Sequence, residues 1–476
     1  MLFFALRTFT FFQLQGQTIS LAAVYCLCSA GSSLCQSCFG TTAPGTTGRK
    51  RSVLLLSFAI VVALWFQYSV GPSIVSQSGW IWKTYRVIPG TGKLVYNAWY
   101  DSCQQYEEDP HLLAQCAGNA GVFRPTFLSA FYFAANAVAT RIVPTLNKEA
   151  WPAKYALFFF GLLISMFIPS SPLFSGFFLW VARFGAATFV LLQQIILIDV
   201  AYNWNDDWVE RANEADRLSY GSGSGWLHAI VGICVALYSA AIVGIGLMYS
   251  HFDDCSGNTW VITLTLIAII AMTALQLSGT DGSLLTSGIM SLYIVYLCFS
   301  IVSKNPHGEC NPRLGRNDVW GIIIGLFLTM VSLIWTGWSW SAEARLSVDA
   351  AQTAKAVAPA QSSTGDNLNL EVPFLDAEEA PTSGLVTEQT SSTGAESSSL
   401  AHVWKLNVVM ALISCYVAMI LTGWGTVNGL DENHNAANPT VGRVNMAILG
   451  ISQWLAIGLY SWTLIAPRVF PDRDFS

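Results

Sequence analysis

Between Phe174 and Arg217 the chain reads FSGFFLWVARFGAATFVLLQQIILIDVAYNWNDDWVERANEADR, an apolar stretch that runs without a proline into an acidic, amide-rich surface. A continuous helix over this segment is about 65 Å long, roughly twice the hydrocarbon core of about 30 Å. It must therefore tilt strongly or project well beyond a bilayer. Its deepest polar groups, Arg183, Gln193, Gln194 and Asp199, stand where lipid makes unpaired polar atoms costly, so each should face protein, water or a headgroup. Arg183 and Asp199 read as the two ionisable groups most deeply placed in any span. They are sixteen residues apart, about 24 Å along a helix axis, so each needs its own partner.

Composition decides the class. Only 11% of the 476 residues are charged and 53% are hydrophobic, against about 25% charged in soluble domains. The chain is an integral membrane protein by this measure. The net charge of −6 comes largely from one acidic linker. No basic patch of the kind that binds nucleic acid is present.

Hydropathy places candidate spans near Leu21–Phe39, Ser52–Val70, Thr126–Ile142, Tyr155–Ile168, Phe177–Val200, Trp226–Tyr249, Trp260–Leu277, Leu284–Val302, Val319–Trp340, Val403–Trp424 and Val444–Ile465. This predicts an all-α polytopic protein of ten, or counting the first, eleven helices. Residues 1–20 read as an N-terminal extension or signal-like segment. Residues 21–340 hold the first nine membrane helices, and 403–476 the last two with a short tail. Arg49, Lys50 and Arg51, with Arg141, Lys148 and Lys154, place the loops around them in the cytoplasm. The loop 71–121 and the loops holding Cys255 and Cys310 then fall outside or in the lumen. Residues 341–402, rich in Ser, Thr, Ala and acid, read as a disordered cytoplasmic linker.

Cysteines test that topology. Cys103, Cys116, Cys255 and Cys310 lie in loops clear of the spans and on the predicted oxidising side. Of three pairings, the most economical joins Cys103 to Cys116 and Cys255 to Cys310; four free thiols is the alternative. Cys26, Cys28, Cys35 and Cys38 form a second cluster at an apolar span, where helix packing or S-acylation suits the context better than zinc. No metal or other cofactor is expected.

Catalytic signatures are missing: there is no P-loop, G-x-S-x-G, HExxH or kinase set, and the histidines are scattered singly. The sequence does not read as an enzyme. What remains is the polar end of the long segment: Asp199, Asn203, Trp204, Asn205, Asp206, Trp208, Glu210 and Arg211. On a helix Asp199, Asn203 and Asp206 share one face, and Trp204, Trp208 and Arg211 another. One reading is an interfacial belt that anchors the helix at headgroup level. The other is a headgroup or regulatory contact at the mouth of a groove.

Here the sequence resembles a known family. LIDVAYNWNDDWVE at Leu197–Glu210 is similar to the LIDFAHxWNExWxE signature of the serine incorporators of eukaryotic membranes. SLLTSGIMSLYIVYLCFSIVSKNPHGECNP at Ser283–Pro312, CAGNAGVFRPTF at Cys116–Phe127, CLCSAGSSLCQSC near the start and the terminal YSWTLIAPRVFPDRDFS match in order. The departures are one cysteine fewer in the first cluster, Tyr202 where a His is common, and no usable glycosylation sequon, because Pro439 interrupts Asn438–Thr440.

The resemblance implies ten helices in two helical subdomains joined by a long tilted crossing helix, residues 174–217. It also implies support of serine incorporation into phosphatidylserine and sphingolipids, and ATP-independent lipid scrambling or binding. The partners it implies are membrane phospholipids and sphingolipids, lipid-synthesising enzymes, and a second copy of the chain. Its setting would be the endoplasmic reticulum, Golgi, vacuole or plasma membrane. Competing classes are a scaffold for lipid-synthesising enzymes, working through the linker, and a secondary transporter of a small polar solute.

Overall fold

The computed structural model describes residues 47–78, 90–143, 151–219, 221–278, 283–314, 319–335, 403–427 and 436–470, with residues 83 and 146. The expected span Leu21–Phe39, the extension 1–20, the cluster Cys26–Cys38 and the linker 341–402 lie outside the described residues. Regular structure among the described residues is helical, with no strand.

Among the described residues twelve α-helices follow one another: α1 (Thr47–Trp65), α2 (Gly71–Val75), α3 (Thr91–Tyr100), α4 (Pro110–Ile142), α5 (Trp151–Ser165), α6 (Leu179–Leu218), α7 (Ser224–Phe252), α8 (Ser256–Leu277), α9 (Leu284–Val302), α10 (Val319–Trp335), α11 (Val403–Leu421) and α12 (Pro439–Val469). Local sequence explains several starts. Asp109 caps α4, accepting from the His111 and Leu112 amides ahead of Pro110, which needs no amide partner there. The Ser283 hydroxyl caps α9 at the Thr286 amide.

Among the described residues seven helical runs are long and apolar enough to cross a membrane: Arg51–Val75, Leu173–Leu218, Ser224–Phe252, Ser256–Leu277, Leu284–Val302, Val403–Leu421 and Pro439–Ala466. α5 and α10 are apolar but shorter. The expected span Thr126–Ile142 is the second half of the 33-residue helix α4. That helix is diluted by Asn119, Arg124, Thr126, Ser129 and Thr140, which it buries against protein, and by the half-buried Asn136. Lipid-facing surface is plain on α7, where Val231, Val235, Ile242 and Val243 are exposed and only five of 29 residues are buried. The fold is an all-α polytopic membrane protein.

Two sets of helices share one long element. α1, α4 and α11 pack together, with α5 against α4; α7, α8, α9 and α12 form the second set. α6, the expected crossing helix, packs on α11 of the first set and on α7, α9 and α12 of the second. Small residues allow close approach. A Cβ on Gly185 would stand 2.8 Å from Cys415 of α11, and one on Gly118 of α4 would stand 2.6 Å from the Gln67 carbonyl.

Both expected disulfides are present, Cys103–Cys116 and Cys255–Cys310. They share a face, because the start of α12 touches both neighbourhoods: Asn438 donates to the Tyr106 hydroxyl at 2.8 Å and the Ala436 amide to the Pro306 carbonyl at 2.7 Å. On the opposite face Arg468 of α12 donates to Ser278 and to the Leu275 carbonyl at the end of α8, while Arg141 of α4 stacks on Trp404 of α11.

Candidate functional site

α6 carries the sequence-predicted residues from one face to the other. Arg183, Gln193 and Gln194 are buried. Arg183 stacks on Trp180 and donates to the Trp424 carbonyl at a long 3.5 Å; its Nε has no hydrogen-bond partner among the described residues. Gln194 donates to the Ala456 carbonyl of α12 at 2.7 Å, but its Oε1 and both polar atoms of Gln193 have no partner among the described residues. Buried amides without partners cost about 1–3 kcal/mol each, so water or a ligand belongs beside them.

Asp199 is exposed, not deep. Its carboxylate accepts from the indole Nε1 of Trp335 at 2.6 Å and from Asn203 at 3.0 Å. Arg183 and Asp199 thus have separate partners, as their spacing requires. Trp204, Trp208 and Trp226 form an edge-on ladder, with centroids 5.6 and 5.4 Å apart, and Arg211 sits 5.5 Å over Trp226 while pairing with Asp207. Asn205 bonds the neighbouring Asp206, and Glu210 is exposed. The acid and amide face and the aromatic face expected from sequence are both realised. Asp199 is tied by its side chain to Trp335, and Trp208 and Arg211 by theirs to Trp226 of α7.

Trp335 ends α10, a helix whose role sequence reasoning missed. Its middle crosses between the helix sets, where a Cβ on Gly325 would fall 2.5 Å from Ile420 of α11 and 2.8 Å from the Tyr296 hydroxyl of α9. Its beginning, Gly321 and Ile322, walls a cleft of about 180 Å³ on the disulfide face, lined also by Gln67, Tyr68, Gln115 and Lys304. Alongside α10 an apolar groove of about 390 Å³ runs between α7 and α9, with His251 and Arg313 in its lining. Tyr296 lines both spaces.

Two further residues escaped the sequence reading. Gly423, Trp424 and Gly425 hold three consecutive left-handed conformations, with φ of 57°, 66° and 75°. For Trp424 this is strained backbone, held in place because its carbonyl accepts from Asn445 as well as Arg183 while Asn119 grips the Thr426 carbonyl. The Gly-Trp-Gly run at the end of an apolar span was the available signal. Arg124 is the other: at 0% exposure it is deeper than Arg183 or Asp199, correcting the expectation that those two were the deepest ions. It donates to the carbonyls of Ala98, Ala120, Ser165 and Ile168 and to the Ser170 hydroxyl, and stacks on Trp99.

The fold and this seam define a polytopic helical membrane protein in which one tilted helix joins two helix sets. A profile described as "Serine incorporator (Serinc)" matches residues 24–473, and the chain belongs to the serine incorporator family. Similar proteins include a "Probable serine incorporator" of Nematostella vectensis, 28% identical over 70% of this chain and 73% of its own length. "Serine incorporator 3" of Mus musculus is 24% identical over 96% and 98%, and "Serine incorporator 5" of the same species 26% over 95% and 97%.

Proposed function

We propose that the protein handles membrane phospholipids and sphingolipids without ATP and without covalent chemistry, passing or holding them along the α6–α10 seam. One observation carries this reading. The seam has a polar cleft at the disulfide face, a polar cluster around Asp199 at the other, and an apolar groove beside the helix that connects them. A phospholipid needs those two environments together, a wet path for its headgroup and an apolar one for an acyl chain. Serine incorporation, the activity in the relatives' names, is on this view a metabolic consequence of supplying or clearing phospholipid and sphingolipid at the enzymes that perform it.

The test is reconstitution of purified protein in liposomes that contain acyl-labelled phospholipid, followed by bleaching with a membrane-impermeant reductant in the absence of ATP. Label in the inner leaflet should become bleachable. Bleaching that stops where protein-free liposomes stop contradicts lipid movement.

A further inference from the structure

Away from the cleft and the groove, the second helix set has a polar interior at its opposite-face end. Thr286 and Ser287, in the first turn of α9, are 0% exposed, and so is Tyr460 of α12. The Tyr460 hydroxyl faces that of Ser287 without closing a hydrogen bond, and none of the three hydroxyls has a partner among the described residues. Three more helices bring polar groups to the same place. From α6 comes Gln194, whose amide nitrogen is held on the Ala456 carbonyl, one turn from Tyr460, and whose Oε1 has no partner among the described residues. Tyr202 of α6 and Tyr238 of α7 stand within electrostatic range of Tyr460. From α8 comes Thr273, which donates to the Tyr238 hydroxyl at 3.3 Å, and one turn on Gln276, whose buried Oε1 is again without a partner among the described residues. Tyr238 lies in turn against α9, where a Cβ on Gly288 would stand 3.5 Å from its ring.

The chemistry of these groups narrows what can sit among them. The first turn of a helix carries a partial positive charge, which disfavours a cation. Amide oxygens only accept hydrogen bonds, so the two glutamines disfavour an anion. What suits both is a small neutral molecule that donates to the amide oxygens and exchanges hydrogen bonds with the hydroxyls. We infer that this interior binds a cluster of water molecules, held by Gln194, Thr286, Ser287 and Tyr460. Buried waters make about three hydrogen bonds each, to polar groups that otherwise have none. Tyr202 is half-buried and Asn203 beside it is exposed, which gives water a way in from the opposite face. The cluster is independent of the lipid-handling reading, because the seam runs between the helix sets and these groups lie among α6 and the second set alone.

X-ray hydroxyl-radical footprinting tests the site, since the dose turns bound water into radicals that oxidise the side chains beside it. Two other buried tyrosines are built-in controls. Tyr293 and Tyr416 are 3% and 2% exposed, and their hydroxyls already meet the Val190 carbonyl and the Tyr296 hydroxyl. In the detergent-purified full chain Tyr460 should oxidise several-fold faster than either, although it is no more exposed. Thr286→Val with Ser287→Ala removes two of the hydroxyls that hold the water and should bring the Tyr460 rate down to that of the controls. Gln194→Leu, which removes the orphan oxygen, should lower it as well and serves if the double variant does not fold. Excess phospholipid should leave the rate unchanged.

Tyr460 oxidising as slowly as Tyr293 and Tyr416 overturns the site. So does a fast rate that neither variant lowers. Suppression of the rate by phospholipid also overturns it, because the occupant would then be lipid and not water.

Discussion

Arg124 and Arg183 are both buried guanidinium groups, and the protein treats them in opposite ways. Arg124 spends its donors on four backbone carbonyls and one hydroxyl drawn from α3, α4, the end of α5 and the α5–α6 connection, with the Trp99 ring centroid 4.1 Å from its guanidinium carbon. Among the described residues Arg183 makes one 3.5 Å hydrogen bond, to a carbonyl on a strained turn, and its Nε has no partner. A saturated cage fixes the ends of several helices in one arrangement; an undersatisfied one leaves room for water, a headgroup or a shift of the turn. Incomplete pairing recurs near the seam, at Gln67, Gln115, Gln193, Gln194 and Asn445. The first helix set is locked at its disulfide-face corner, and the seam is left with unspent hydrogen-bonding capacity.

The sharpest way to break this contrast is to empty the cage. Arg124→Met strands several carbonyls and should cost about 3–5 kcal/mol, enough to abolish a monodisperse detergent peak. Arg124→Lys should rescue little, since one ammonium cannot reproduce the fork. If either variant purifies with normal thermal stability, the cage is not structural.

The next effect in size is the loss of a disulfide. Cys255→Ser with Cys310→Ser opens a loop with a sequence separation of 55 residues and should cost about 2–4 kcal/mol. Digestion of the native protein without reductant should recover this bridge and Cys103–Cys116. Recovery of all four as free thiols in gently prepared membranes would undo the pairing.

Arg183→Met should behave unlike its Arg124 counterpart. It loses one long contact and should change stability by about 1 kcal/mol, while lipid movement in liposomes changes clearly. A fall in stability as large as that of Arg124→Met would erase the distinction between the two sites.

The smallest stability effect belongs to Asp199→Asn. Asp199 is exposed, and an asparagine oxygen can still accept from Trp335, so thermal stability should move by less than about 1 kcal/mol. Label movement should nevertheless slow, because the carboxylate at that end of the seam is gone. A normal rate would make Asp199 an anchor and no more.

The sequence revealed the elements whose signals are local. Hydropathy located the runs that became α1 and α6 to α12, and the cysteine pairs were readable because only four cysteines stood clear of the spans. The two faces of the 199–211 segment followed from helical spacing alone. Arg124 was hidden because its partners are backbone carbonyls up to 44 residues away, which leave no mark on residue type. α10 was hidden for a different reason: as an apolar helix of ordinary composition it reads like any other span, and only packing against Ile420, Tyr296 and Asp199 sets it in the seam. The left-handed turn at Trp424 did have a local signature, two flanking glycines, which becomes informative once the span is known to end there.

Lipid occupancy of the seam is tested most directly by photo-crosslinking. Phospholipid with a photoactivatable acyl chain is incorporated beside the purified protein, irradiated, and the labelled residues are read by mass spectrometry. The account predicts label on the groove residues Val295, Tyr296, Phe299 and Ile324, ahead of Val231 and Val235, which are each 61% exposed on the open face of α7. Label spread over the outer faces in proportion to exposure, with none at Tyr296 or Phe299, would contradict it.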